Sequence, residues 1–469
     1  MRQVSLIALL VCCSQAAAEV RSSDFTDPWQ VYAHDLLRDS VAFQSYRGAK
    51  QVVPLTEFLA NEFIEAGFPA EDVRILPLDS DGEPVASLVV RYRGKSNTKR
   101  PILFSAHTDV VGTIESNWDS NPFALSERDG FYYGRGVLDN KFGTTVLTTT
   151  FLRLKKEGFT PERDLIIAFS GDEESEQWTI MSLVQDHLDL IDAEIAFILD
   201  AGEGRLSTQF EPIATFLQFA EKTYVTFELT ANNPGGHSSK PPPDNAIADL
   251  AQAIVAIHEF DFPVRSSVES RAYFAAIGEL TDGKLGAAMR QFAENPDDKN
   301  AIDYLTKHRE HVGSIRTTCV PTIIRGGHTE NVLPETVTVT INCRLYPGIS
   351  VADTEATLKQ VIANPAIEFE TLGDPLASPA SPVRKDVLVL IKAATEKQYP
   401  GVPVVPYIAP GGTDGVYLRS GGITSYGLYG LFLRAEDDNT HASNEKLSIE
   451  GFYEALDFWY RLTIDLAAL

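Results

Sequence analysis

The chain has 469 residues, 44% of them hydrophobic and 22% charged, a composition that fits a globular protein of two or three domains rather than one core. Its 65 acidic residues outnumber its 40 basic ones and give a net charge of −25. Such a surface repels phosphate backbones, and no Lys/Arg cluster interrupts it, so nucleic acid is excluded as a partner.

At the N-terminus, Arg2, the apolar run VSLIALLVCC and the small-residue stretch AAAEV read as an export signal over residues 1–18, with Ala18 the last residue removed. The run is too short to cross a bilayer, and no later stretch reads as a membrane span. The mature chain is therefore expected in the periplasm or secreted. Cys12 and Cys13 would leave with the signal, and Cys319 and Cys343 would remain.

Residues 19–221 read as the first part of a catalytic domain. From Asp35 to Gly204, helical spacing (LTEFLANEFIEAGF, TTVLTTTFLRLKKEG, WTIMSLVQDHL) alternates with short apolar runs (ASLVVRY, PILFSA, DLIIAFS, AEIAFILD). Unbroken apolar strands between helices predict an α/β fold with a mostly parallel sheet covered on both faces. Residues 222–375 change character: TYVTFELTA alternates, DNAIADLAQAIVAIHEF is an amphipathic helix, and two strand-like runs, a helix and a last strand follow. The order strand-helix-strand-strand-helix-strand predicts a ferredoxin-like α+β lid inserted into the larger domain. The charged stretch ENPDDKNAIDYLTKHREH reads as a helical insertion within it. A hairpin centred near Asn331 sets Cys319 opposite Cys343, which leaves both a disulfide and two free buried thiols open. After the Pro/Ser-rich GDPLASPASP, residues 376–469 return to α/β alternation as the second part of the catalytic domain.

The chemistry gathers where chemistry gathers in open α/β sheets, beyond the C-terminal ends of the strands. PILFSA runs into His107 and Asp109, GRGVLDNKFG places Asp139 before a helix, LIIAFSGDEESE delivers Asp172, Glu173 and Glu174, IAFILDAGEG delivers Asp200, and EDDNTHASNE presents His441. A single Asp at a strand end is usually a helix cap. Converging carboxylates repel one another and are costly to desolvate, a cost that a pair of divalent cations removes. Two His and three carboxylates exceed one tetrahedral set, so two metals fit better than one; if Asp139 bridges them, each gets one His, one terminal carboxylate and a shared oxygen. Ligands of this type without Cys suit zinc, with cobalt or manganese as substitutes. Asp109, two residues from His107, is placed to fix its tautomer. Glu173 is left over from the ligand set and is placed as a general base. There is no G-x-S-x-G elbow, no phosphate-cradling G-x-x-x-x-G-K and no H-E-x-x-H.

Taken together, SAHTDVV, WDSNPFALSERDGFYYGRGVLDNKFG, SGDEESE, GGHSSKPPPDNAI, NVLPETVTVTINCRL and GGTDG make the chain resemble the co-catalytic zinc aminoacylase/carboxypeptidase family, which includes acetylornithine deacetylase, succinyl-diaminopimelate desuccinylase, glutamate carboxypeptidase and carnosinase-like dipeptidases. The wording is most like that of the carboxypeptidase S branch. The resemblance implies one zinc on His107, Asp139 and Asp200 and a second on Asp139, Glu174 and His441, with Glu173 as base and Asp109 as the orienting acid. It implies that His237 helps hold the oxyanion, that Asn331 and Arg344 bind the substrate carboxylate, and that Gly411, Gly412 and Thr413 offer backbone donors near it. It also implies that the bond after Asp139 is often cis. Asp rather than Glu at position 200 is similar to the dipeptidase, aminopeptidase and carboxypeptidase S side. The expected activity is hydrolysis of an amide next to a free carboxylate, in a small peptide or an N-acyl amino acid. The alternatives are a dipeptidase that also needs a free amine and a non-catalytic metal-binding relative. Dimeric members take His237 from the partner subunit, so a homodimer is compatible with the pattern, as is an insertion that replaces the partner.

Overall fold

The computed structural model describes residues 26–469. The export segment expected at residues 1–18 lies outside the described residues. Among those described, no helix is long and apolar enough to cross a membrane.

A ten-stranded sheet forms the centre of the larger domain. Its middle is parallel: Leu165–Ser170, Ile102–His107, Ile195–Ile198 and Thr424–Gly427 run side by side in the same direction. All six residues of Ile102–His107 and of Leu165–Ser170 are buried, as expected of strands covered on both faces. Helix Lys141–Lys156 lies on one face, with Asn140 as its cap accepting from the Gly143 N–H at 3.0 Å. Phe104 meets Phe151, Phe197 and Trp459 in one aromatic core, Trp459 coming from the closing helix Ile449–Ala468. This core joins residues before and after the lid, which explains how a domain split in sequence folds as one.

The lid is a four-stranded antiparallel sheet built from Thr318–Gly326, Thr336–Leu345, Thr223–Asn232 and Ile367–Leu372, in that order. Helices Ala246–Glu259 and Val351–Ile362 pack on it around Phe227, Leu250, Ile341 and Leu358. Cys319 pairs with Cys343 across neighbouring strands, and a disulfide joins them. Beyond Pro321 a bulge shifts the register by one residue.

Two features go beyond the expected elements. Strand Pro212–Glu221 enters the central sheet beside Thr424–Gly427 and carries Val404–Ala409 on its other side. The insertion is longer than its charged stretch. It comprises helices Val268–Leu280, Gly283–Glu294, Lys299–Thr306 and Arg309–Ile315, with a small core of Phe274, Met289, Phe292, Leu305 and Ile315.

Candidate metal centre and active site

The strand ends bring five ligand-type side chains together around Asp139. Its Oδ1 lies 2.9 Å from His107 Nε2 and its Oδ2 lies 3.0 Å from His441 Nε2. His107 Nε2 is also 3.4 Å from Asp200 Oδ1, and His441 Nε2 is 2.9 Å from Glu174 Oε1. Each imidazole thus meets one oxygen of Asp139 and one further carboxylate, in the two groups expected for a bridged pair. Glu173 falls into a cluster with His107 and Asp200.

Local structure holds these groups in place. His107 Nδ1 faces the Asp109 carbonyl at 3.0 Å and the Asp109 carboxylate at 3.4 Å, which points its Nε2 at the cluster. The two Asp109 oxygens accept the backbone N–H groups of Glu173 and Glu174, each at 3.0 Å. One carboxylate therefore orients the imidazole and positions the backbone of the base and of a ligand. The Asp139–Asn140 peptide bond is cis, and Asn140 Nδ2 donates to Asp200 Oδ1 at 2.9 Å. Gln177 Nε2 donates to Glu173 Oε1 at 3.1 Å.

Sequence reading missed a buried clamp. Glu445 is fully buried and accepts from Arg135 Nη1 at 2.7 Å and from the backbone N–H groups of Gly136, Leu138 and Asp139 at 3.0, 2.9 and 3.0 Å. Arg135 Nη2 donates to the carbonyls of His441 and Ala442 at 3.3 and 3.1 Å. The pair ties the loop of Asp139 to the loop of His441, 302 positions away in sequence. Asp414, buried beside Ser170, also went unread; its only visible signal is its place in GGTDG. Asp172 turns out to be a framework group: it accepts from the Trp178 and Thr179 N–H groups and from Ser80, anchoring the helix that starts at Trp178.

The electrostatics show a pocket short of positive charge. Burial pushes Asp200 up to about 6 and Asp414 up to about 7. Burial, with Asp200 nearby, raises Glu173 well above the usual carboxylate range, and burial raises Glu174 as well. His441 is pushed up to about 10 by its hydrogen bonds to Asp139 and Glu174. Burial works against the charge on His107, but the carboxylates of Asp200, Asp109 and Asp139 outweigh it and raise its pKa well above the ordinary value. Asp139 is the exception: its burial is outweighed by the two imidazoles, which hold it below the usual range. The imidazoles take the protons that cations would replace. Two ligands about 2.1 Å from a tetrahedral zinc stand about 3.4 Å apart. The 2.9–3.4 Å contacts made by the two Nε2 atoms match that spacing, so the donor set fits a pair of divalent cations.

A cavity of about 430 Å³ opens beside Asp139 and Asp200. Gly411, Gly412 and Thr413 line it, and the insertion supplies a wall through Ser270, Tyr273, Glu310 and Ser314. Arg344 does not line this cavity; its Nη1 donates to the Pro410 carbonyl at 3.4 Å and its guanidinium stands 4.6 Å from the Tyr224 ring centre. His237 and Asn331 are brought together but apart from the cluster. His237 pairs with Val332 in a two-stranded ribbon, and the Ser238 N–H donates to the Asn331 carbonyl at 3.0 Å. Both are exposed, and among the described residues no hydrogen bond joins either to the metal ligands.

The sequence and the fold both match known proteins. The family model "Peptidase family M20/M25/M40" matches residues 103–465. The chain belongs to this family. Among M20/M25/M40 relatives, the N-fatty-acyl-amino acid synthase/hydrolase PM20D1 of Xenopus tropicalis is 28% identical over 80% of this chain and 74% of its own length. Probable carboxypeptidase S-like 2 of Dictyostelium discoideum is 27% identical over 80% and 73%. Among solved structures, the M20 family metallo-carboxypeptidase Sso-CP2 from Sulfolobus solfataricus shares the fold with a TM-score of 0.66 at 18% identity, covering 93% of this chain and 99% of that one. The Bacillus subtilis YXEP protein, a dinuclear metal binding peptidase of the M20 family, does so at 0.58 and 14%, covering 93% and 98%. The mostly parallel catalytic sheet and its lid are thus the M20 architecture, and the chain is a metallopeptidase-type hydrolase.

Proposed function

We propose that the chain is an exported hydrolase holding two zinc ions, with cobalt or manganese as workable substitutes. It cleaves the amide bond beside a free carboxylate, either the last bond of a small peptide or the bond of an N-acyl amino acid. The observation that carries this reading is that the two oxygens of Asp139 each face a different imidazole, at 2.9 and 3.0 Å. His107, Asp139 and Asp200 would hold one ion and Asp139, Glu174 and His441 the other. When bound, such ions polarise the scissile carbonyl and lower the pKa of water. The names of the two relatives both describe substrates whose scissile amide neighbours a carboxylate.

The remaining steps fall to this chain's own groups. Glu173, within the same cluster as His107 and Asp200, takes the proton of the attacking water and delivers it to the leaving nitrogen. Asp109 keeps His107 in the tautomer that presents Nε2. Arg344, Asn331 and the Gly411–Gly412–Thr413 loop hold the substrate carboxylate, for which the guanidinium fork is suited. His237 reaches the oxyanion from the lid ribbon, from its own chain on closure or from a second copy in a homodimer.

The test is a panel of N-acyl amino acids, N-blocked dipeptides and free dipeptides offered to the zinc-loaded chain, alongside metal analysis. Turnover of N-blocked substrates with about two metal equivalents supports the reading. Activity only on free dipeptides, or one metal per chain, refutes it. N-terminal sequencing of the secreted chain checks removal of residues 1–18.

A further inference from the structure

We propose that Gln177 is a positioning residue for the base: it holds one oxygen of Glu173, so that the catalytic proton resides only on the other. This inference rests on the role given to Glu173 above and adds the residue that aims it. Gln177 Nε2 donates to Glu173 Oε1 at 3.1 Å, and among the described residues no hydrogen bond reaches Glu173 Oε2. An amide NH₂ group only donates, so a proton on Oε1 would set donor against donor. The O–H bond of the attacking water therefore breaks as a proton joins Oε2. The same proton then leaves Oε2 for the departing nitrogen, and the carboxylate returns to its starting form with Oε1 held throughout.

Local structure leaves this side chain free for the task. Gln177 stands at the N-cap of helix Trp178–Gln185 but makes no side-chain cap bond. Asp172 caps the helix instead, accepting from the Trp178 and Thr179 N–H groups, each at 2.9 Å. Gln177 also sits in the left-handed region, with φ 57° and ψ 24°. A residue with a Cβ is strained there and stays only where its surroundings over-determine it. Glycine would suit this backbone better, and what Gln177 brings that glycine lacks is the amide. The loop around it is tied down: the Gln177 N–H donates to the Asp172 carbonyl at 2.9 Å, and Glu176 pairs with Arg47 at 2.7 Å. The Glu173 N–H donates to Asp109 at 3.0 Å. Asp109 thus places the backbone of the base, and Gln177 places its carboxylate.

The experiment compares the zinc-loaded full chain with Gln177→Gly, Gln177→Glu, Glu173→Gln and the double variant Glu173→Gln with Gln177→Gly, on the substrate panel above. Gln177→Gly should keep both metals and melt at or above the wild-type temperature, because glycine relieves the left-handed backbone. Its kcat should fall by about 10–100-fold while KM stays within about twofold. Gln177→Glu sets carboxylate against carboxylate and should lose at least as much. In the Glu173→Gln background the change Gln177→Gly should cost less than about twofold, since no base is left to aim. A residue that merely starts a helix predicts the reverse: a lower Tm with kcat intact, or the same loss in both backgrounds. Either of those results, loss of a metal, or failure of Gln177→Gly to fold overturns the inference and leaves the hydrolase reading standing. A wild type that turns over nothing on the panel, or a Glu173→Gln variant as active as wild type, removes the reading of Glu173 and the role of Gln177 together.

Discussion

The Arg135–Glu445 clamp offers the sharpest test of how the site is built. Both side chains are buried, at 2% and 0% exposure, so Glu445→Gln strands a guanidinium without its counter-charge. The amide keeps one acceptor, which the Leu138 and Asp139 N–H groups still use. Its NH₂ group, however, faces the Gly136 N–H and Arg135, donor against donor. Breaking a buried pair from one side costs about 3–5 kcal/mol, and the stranded Arg135 places Glu445→Gln near the top, about 5 kcal/mol. Arg135→Met should cost less, about 3 kcal/mol, because Glu445 keeps three backbone donors that stabilise its charge. Since the clamp holds the loops of both Asp139 and His441, Glu445→Gln should also weaken zinc binding by about 10–100-fold. Urea unfolding of the chelated chain gives the stabilities, and competition with a chromophoric chelator gives the affinity. Costs below about 1 kcal/mol for both variants, or the reverse order, would show that the pair does not work as described. Lost stability with unchanged affinity would separate the clamp from the metal centre.

Glu173→Gln should retain both metals and lower kcat by about 10²–10⁴-fold; near-normal turnover with full metal content would remove Glu173 as the base. The stabilisation gained on adding zinc should grow as pH rises from about 5 to 8. Asp200, raised to about 6, and His441, raised to about 10, favour the metal-free fold at low pH by holding protons, and that contribution fades as they titrate. A zinc-induced shift in Tm that is flat or falling over that range counts against the ligand set. Replacing Cys319 and Cys343 by Ser should destabilise the lid by about 3 kcal/mol, from the entropy of a loop closed over a separation of 24 residues. Calorimetry with and without reductant reads this directly, and an unchanged melting profile rejects it.

The parallel sheet was legible because its strands are buried on both faces and so read as unbroken apolar runs, as in Ile102–His107. Strand Pro212–Glu221 was not legible. Residues 212–216 mix burial classes, and the strand sits at the junction where the chain leaves for the lid, so no clean period of two appears. The insertion was seen only where its surface is charged. Helix Gly283–Glu294 buries Met289 and Phe292 against Phe274, but Gly283 and Gly286 lower its local helix propensity, and the contacts that stabilise it lie outside its own window.

Within the site, legibility follows the kind of work each residue does. Ligands stand at strand ends, where fold geometry already predicts chemistry, and they must be His, Asp or Glu. The residues that aim them are under no such restriction of place. Glu445 does its work through backbone N–H groups 306 to 309 positions away, and nothing in SNEKL announces a buried charge. Asp109 was legible because its target is two residues away; Glu445 was not, because its target is across the fold. Yet both do the same thing, converting a carboxylate into the placement of loops that carry ligands. A dinuclear centre assembled from five separate segments needs such groups, since the carboxylates of Asp139, Glu173, Glu174 and Asp200 cannot converge unaided. The positions of Asp139 and His441 are therefore set as much by a buried ion pair outside the cavity as by the cations they are shaped to receive.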